Sequence, residues 1–261
     1  MRKVKSTSFR YVDKGIEAKK LVGMRKNLHR PPSGQEVTGV FGVVKLKVKV
    51  VSWGEVVRWS NELAFVIMDS GYKPDVIVAI ARGGLVPARL LADYMDVIDV
   101  LSLKVEHWIE TGSHQEEAVI KYETKDIDLS DKKVLIVDDI CDTGKSLSVA
   151  KEFVIKNWKA REVKLATFQY IEPVAQIKPD FYVDLVKDWT WYMYPWNYVE
   201  DMVNLVKKML KEEGELSLQE ITVKFKEWYN ITPPLSIAET VHIMEYRGLI
   251  NKVNGKYVLV K

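Results

Sequence analysis

Residues Val134 to Ser146 read VLIVDDICDTGKS: four apolar residues, two adjacent acids, then an Asp-Thr-Gly-Lys-Ser turn. A short apolar run of this kind predicts a strand covered on both faces, over Lys133 to Val137, and the pattern from about Lys145 to Asn157 predicts a helix. Asp138 and Asp139 then stand at the carboxyl end of the strand. Paired carboxylates there can bind the vicinal hydroxyls of a ribose or help to hold a Mg²⁺-bound sugar phosphate. The turn that follows offers small hydroxyl side chains, a glycine and backbone N–H groups at a helix N-terminus, which together make a phosphate cradle. Carboxylates beside a phosphate repel it unless a metal ion or a sugar lies between, and a sugar phosphate with Mg²⁺ meets that condition.

Working outward, the strand-then-helix unit recurs. DVIVAIA (Asp75 to Ala81) is a second buried strand, Arg82-Gly83-Gly84 follows it, and Leu85 to Met95 is an amphipathic helix. Val163 to Tyr170 is a further strand, while upstream a half-exposed strand starts at Val43 and a helix runs from Gly54 to Ser70. Alternating strands and helices predict an α/β fold, a mostly parallel twisted sheet flanked by helices, with ligands at the carboxyl ends of the strands. Beyond Glu200 the pattern changes to three helices, about 199–213, 217–229 and 236–247, and a hairpin around Asn254-Gly255. The expected organisation is a basic, poorly ordered arm at 1–41, a catalytic domain at 42–198, and a three-helix, winged-helix-like bundle with a C-terminal hairpin at 199–261.

Composition excludes several classes. The single Cys141 rules out an intrachain disulfide framework, and His29, His107, His114 and His242 lack metal-ligand spacing, so a zinc or redox enzyme is not expected. Residues 1–40 hold ten Lys/Arg against three Asp/Glu, leaving 29 basic and 33 acidic residues in the rest of the chain, which argues against a nucleic-acid surface over the body. No segment is apolar enough to span a membrane or to act as a secretory signal, so the expectation is a cytoplasmic protein with neither nucleic-acid nor membrane partners.

VLIVDDICDTGKS closely resembles the motif with which type I phosphoribosyltransferases bind phosphoribosyl pyrophosphate (PRPP). The resemblance implies that Asp138 and Asp139 contact the ribose hydroxyls, with Mg²⁺ arriving on PRPP beside them, and that Asp142, Thr143, Gly144, Lys145 and Ser146 enclose the 5′-phosphate. A P-loop is the rival, because Gly144-Lys145-Ser146 matches the end of G-x-x-x-x-G-K-[ST]; the first glycine of that pattern would fall at 139, where a carboxylate would face polyphosphate. The blandest alternative is an acidic turn between strand and helix. A second motif opposes both: IARGGLVPAR (Ile80 to Arg89) resembles the family's pyrophosphate loop, with Arg82, Gly83 and Gly84 on pyrophosphate and a non-proline cis peptide between Ala81 and Arg82. The polar segment Glu106 to Glu117 resembles the family's mobile catalytic loop, although His107-Trp108 stand where many members have Ser-Tyr. DWTWYMYPWN (Asp188 to Asn197) resembles the base-binding hood, placed at 188–198. Trp191 is then at the position that stacks on the purine and Tyr192 offers backbone groups to its edge; otherwise these aromatics are core filler. The hood pattern W-x-x-x-P-W-D ends here on Asn197, which puts a second metal in doubt.

The implied reaction is displacement of pyrophosphate by a base nitrogen. Asp138 and Asp139 stand near the developing ribosyl cation and Arg82 near the leaving group. Asp142 is the candidate general base or base-orienting group, with capping of its own loop as the alternative. Members acting on hypoxanthine, guanine or xanthine usually carry a lysine after the strand that follows this helix, whereas the chain reads Thr167-Phe168-Gln169-Tyr170-Ile171-Glu172-Pro173. That absence favours adenine, with a 6-oxopurine as the alternative. A PRPP- or purine-sensing winged-helix regulator is the other class; the helix that would read DNA, SIAETVHIMEYR, offers one Arg against Glu239 and Glu245. The resemblance also implies a homodimer.

Overall fold

The computed structural model describes residues 45–109, 116–122 and 127–260. The arm read at 1–41, the start of the strand read from Val43, and the tip of the loop read at 106–117 lie outside them.

Strands β1 (Val48–Val50), β2 (Val76–Ala81), β3 (Asp99–Ile109), β4 (Glu116–Tyr122), β5 (Lys133–Val137), β6 (Ile140–Cys141), β7 (Glu162–Ile171), β8 (Phe181–Val186) and β9 (Trp191–Met193) are joined by helices α1 (Trp53–Asp69), α2 (Leu85–Met95) and α3 (Lys145–Asn157). The main sheet runs β4-β3-β2-β5-β7, with β6 extending the β5 side of β7 and β8 pairing with its other edge. All pairs are parallel except β3 with β4. The two-residue side-chain period explains why β2, β5 and β7 are almost continuously apolar. Ile77, Ala79, Leu135, Val137, Ala166 and Phe168 face the core under α1 and α2, and Val76, Val78, Ile80, Val134, Ile136 and Leu165 face the core under α3.

Chain connection from β2 leads to β3 on one side, whereas β5 pairs with β2 on the other, so the crevice at the carboxyl ends of β2 and β5 is where the strand order reverses. Both loops singled out by the sequence open there. Helix α1 is started by a capping box in which Glu55 N–H donates to Ser52 Oγ at 3.2 Å and Ser52 N–H donates to Glu55 Oε2 at 2.9 Å.

Two expectations are corrected. Strand β1 covers only Val48–Val50, because its partner β9 is three residues long. The loop expected over 106–117 is shorter, since Glu106 to Ile109 continue β3 and Glu116-Glu117 open β4 in antiparallel register, with Lys121 Nζ 3.0 Å from Glu106 across the pair. The first part of β3, together with β8 and β9, had no signal that the alternation rules picked out.

Downstream, α4 (Tyr198–Glu213), β10 (Leu216–Ser217), α5 (Leu218–Tyr229), α6 (Ile237–Tyr246), β11 (Ile250–Val253) and β12 (Lys256–Leu259) close the chain, with β10 and β11 flanking β12. Their core, built on Met202, Val206, Met209, Phe225, Trp228, Val241 and Met244, also takes in Met193 of β9 and is flanked by Val48 and Val50 of β1. Residues 42–261 form one compact unit. The N-terminus of α4 thereby meets the ends of β2 and β5.

Candidate active site

Asp138 and Asp139 follow β5 and share a buried corner. Asp139 N–H donates to Asp138 Oδ1 at 2.9 Å, and the Trp196 indole Nε1 donates to Asp139 Oδ2 at 3.0 Å. Burial, and then the charge of Asp139, hold the Asp138 carboxyl well above the usual carboxylate range. Burial also raises Asp139, opposed by its hydrogen bonds from Trp196 and from Asp138. A pair in this state is short of positive charge and suits hydroxyl donors or a cation carried by a ligand.

The phosphate loop sits beside the pair. Gly144 has φ +79°, and a Cβ there would lie 2.4 Å from Ile177 Cγ2, so this position admits only glycine. Lys145 N–H donates to Thr143 Oγ1 at 3.4 Å as α3 begins. Asp138, Ile140, Asp142, Thr143, Gly144 and Ser146 enclose a cavity of about 260 Å³ over this loop.

At the end of β2 the Ala81–Arg82 peptide is cis, as the motif implied. Arg82 pairs with Glu200 of α4 across the mouth of the crevice. The two glycines part company: a Cβ on Gly83 would meet the Asp139 carboxylate at 2.5 Å, and one on Gly84 would meet the Val137 carbonyl oxygen at 2.2 Å. Gly83 therefore lines the crevice, whereas Gly84 lets α2 start hard against β5. A cavity of about 340 Å³ joins Arg82 and Gly83 to Asp138, Asp139, Ser146 and Trp191.

A third cavity of about 180 Å³, bounded by Ile140, Asp142, Ile171, Thr190, Trp191 and Tyr192, shares lining residues with the other two. Asp142 borders it and the phosphate loop, while Trp191 and Asp139 border it and the Arg82 crevice. Trp191 is 39% exposed beside the Trp189 ring, 6.3 Å away between centroids, which sets aside the core-filler reading for this tryptophan. Trp196 does serve the interior, stacked on buried Tyr194 at 4.9 Å and 6°. Strand pairing gives the direction of the Tyr192 backbone. Trp191 N–H donates to Lys47 O, and Met193 O accepts from Val51 N–H, both at 2.9 Å. By alternation, the backbone N–H and C=O of Tyr192 point away from β1. Burial pushes the Tyr192 phenol up to about 12, so it stays protonated. In the segment where a lysine was missed, Ile171 rather than Glu172 lines the cavity.

The structure thus gathers Arg82, Gly83, Asp138, Asp139, Asp142, Thr143, Gly144, Ser146, Trp191 and Tyr192 around three cavities that share lining residues. Several lining residues were not foreseen. Lys104 lies on β3 in register with Ala81, and Glu200, Asp201 and Asn204 come from the first turns of α4. Their signal was weak because they sit on elements read as scaffold or as a separate bundle.

The family model described as the phosphoribosyl transferase domain matches residues 50–199. A xanthine-guanine phosphoribosyltransferase of Cereibacter sphaeroides is 32% identical over 161 residues, 58% of this chain and 89% of that protein. A purine phosphoribosyltransferase structure from Pyrococcus horikoshii is 36% identical, covers 57% of this chain and 92% of its own, and has a TM-score of 0.49. A hypothetical protein of Neisseria gonorrhoeae with bound ppGpp shares the fold at 24% identity, with a TM-score of 0.51 over 58% of this chain and 90% of that one.

Proposed function

The chain belongs to the phosphoribosyltransferase family, and from that membership we propose that it transfers ribose 5-phosphate from PRPP to a 6-oxopurine base and releases pyrophosphate. The observation that carries the reading is a set of three cavities that share lining residues, one over the phosphate loop, one joining Arg82 to the acid pair, and one walled by aromatics.

In this reading Asp138 and Asp139 accept from the ribose hydroxyls, and the loop from Asp142 to Ser146 takes the 5′-phosphate. A nitrogen of the base stacked on Trp191 forms the new bond to the ribose C1′ as the bond from C1′ to the pyrophosphate oxygen breaks. Asp142 takes or orients the proton of the base, and Arg82 with Lys104 faces the negative charge that leaves. The paired carboxylates of Asp138 and Asp139 are the residues that would meet a Mg²⁺ arriving on PRPP. When bound, that ion supplies charge neutralisation to the departing pyrophosphate.

The missing lysine favoured adenine in the sequence. The relatives named for xanthine and guanine support the 6-oxopurine alternative instead. The geometry supplies a physical account: with Ile171 on the wall, the carbonyl at position 6 would take its hydrogen bond from the backbone N–H of Tyr192, a neutral donor that needs no ammonium beside it. Nucleotide formation from PRPP with guanine, xanthine, hypoxanthine, adenine and orotate offered side by side tests the proposal. Turnover of 6-oxopurines with adenine poorer by about tenfold or more is expected. Use of adenine alone would overturn the reading of the base, and use of no purine would overturn the whole assignment.

Replacing Trp191 by Ala is expected to raise the KM for the base by about tenfold or more and leave that for PRPP within about twofold, the scale of one lost stacking face. Parallel changes in both constants would place Trp191 outside the base site. A homodimer and a cytoplasmic location belong to the same proposal. In support of the first, Ile98 is 90% exposed beside Val100, an apolar pair suited to a subunit contact. No helix among the described residues is long and apolar enough to cross a membrane.

A further inference from the structure

Asp201 has no place in any motif above, yet it is the most unusual polar group in the cleft. It stands one turn into α4, its N–H donating to Asn197 O at 2.8 Å. Its residue is 4% exposed, and it borders both the Arg82 crevice and the aromatic pocket. The Trp191 side chain donates a hydrogen bond to the carboxylate, but Asp201 Oδ2 has no hydrogen-bond partner among the described residues. Burial, which that hydrogen bond does not offset, raises the carboxyl to about 7.

A buried acceptor left without a donor is costly, and native structures tolerate one where a ligand completes it. Pyrophosphate oxygens are acceptors and offer Asp201 Oδ2 no donor. The ribose hydroxyls have the Asp138–Asp139 pair. What remains in reach is the N–H of a base lying on Trp191. Asp142 and Asp201 mark different mouths of the pocket, one toward the phosphate loop and one toward the Arg82 crevice. With Asp142 at the imidazole side of the purine, Asp201 faces the six-membered ring.

We propose that Asp201 is a specificity-determining residue whose carboxylate accepts the ring and 2-amino N–H groups of a guanine-type base, and that it disfavours xanthine, whose 2-carbonyl would be turned toward it. This rests on the 6-oxopurine reading above. A carboxylate matches two adjacent N–H donors and repels a carbonyl.

The test is the ratio of kcat/KM for guanine to that for xanthine in wild type, Asp201→Asn and Asp201→Ala, with the KM for PRPP measured alongside. In Asp201→Asn the amide oxygen can still accept from Trp191 while its NH₂ faces the base. The ratio is expected to fall by about tenfold or more, chiefly through the KM for guanine, with the KM for PRPP within about twofold. Asp201→Ala should lose the preference for guanine without gaining xanthine. Because no paired charge is removed, Asp201→Asn should melt no lower than wild type at pH 8. An unchanged ratio, or a KM for PRPP that rises in step, overturns the role of Asp201 and leaves the 6-oxopurine reading standing. Wild-type enzyme that uses adenine alone overturns that reading first.

Discussion

Changing Asp138 and Asp139 together to Asn is expected to lower turnover by at least about a hundredfold, the scale of losing a positioned electrostatic group, while the protein stays folded. The two halves of that statement have separate causes. Turnover falls because amides carry no charge to set against the developing ribosyl cation, and their NH₂ groups add donors where ribose hydroxyls need acceptors. Folding survives because the carboxyls are a liability in the free protein. Burial raises both above their ordinary value, joined at Asp138 by the charge of Asp139, so their ionised forms oppose the native state. The sign follows from linkage. A carboxyl raised on folding costs nothing below its unfolded value and its full penalty above its folded value, so the double variant should gain in melting temperature as pH rises. At position 139 the Asn oxygen can still accept from Trp196, which keeps the hood attached. The check is kcat together with thermal melts at pH 5 and pH 8. Wild-type-like turnover in a folded double variant would remove the acid pair from the chemistry.

The way the site was legible follows from where each piece lies. The phosphate loop and the acid pair are contiguous in sequence, between a strand buried on both faces and a helix, and their positions needed only the register of VLIV. Arg82 and Gly83 lie at the end of DVIVAIA for the same reason, and the strand order that brings the two loops together follows from parallel pairing of β2 with β5. Legibility ended where function depends on packing between distant segments. Asp201 and Glu200 belong to a helix whose sequence reads as the start of a C-terminal bundle; only the shared core with Met193, Val48 and Val50 carries that helix to the cleft. Lys104 sits in a strand whose mixed polarity hid it. The adenine preference has a different origin. It was drawn from an absent lysine, and sequence patterns cannot show that Tyr192 turns its backbone N–H away from β1.

Gly83 joins these two levels, because the fold's tightest contact there is also a contact with the chemistry. Replacing it by Ala is expected to reduce kcat/KM for PRPP by about a hundredfold, the cost of misplacing a catalytic group by about an ångström. The added Cβ would fall 2.5 Å from Asp139 Oδ2 and 2.7 Å from both Cγ and Oδ1. Contacts that short require movement, and the choices are few. The Asp139 side chain is short, 6% exposed, and tied through Oδ2 to Trp196, while the backbone of Gly83 is followed by Gly84, which has no room against Val137. Either the carboxylate turns from the ribose hydroxyls or the Arg82 loop lifts from the leaving group, and both outcomes lower turnover. Melting temperature should drop only modestly, because the loop borders an open crevice rather than the sheet core. A double-mutant cycle separates the mechanism from general damage: if Asp139 is what the methyl displaces, Gly83→Ala should cost several-fold less in an Asp139→Ala background than in wild type. Equal losses in the two backgrounds would show that the loop, and not the acid, carries the effect.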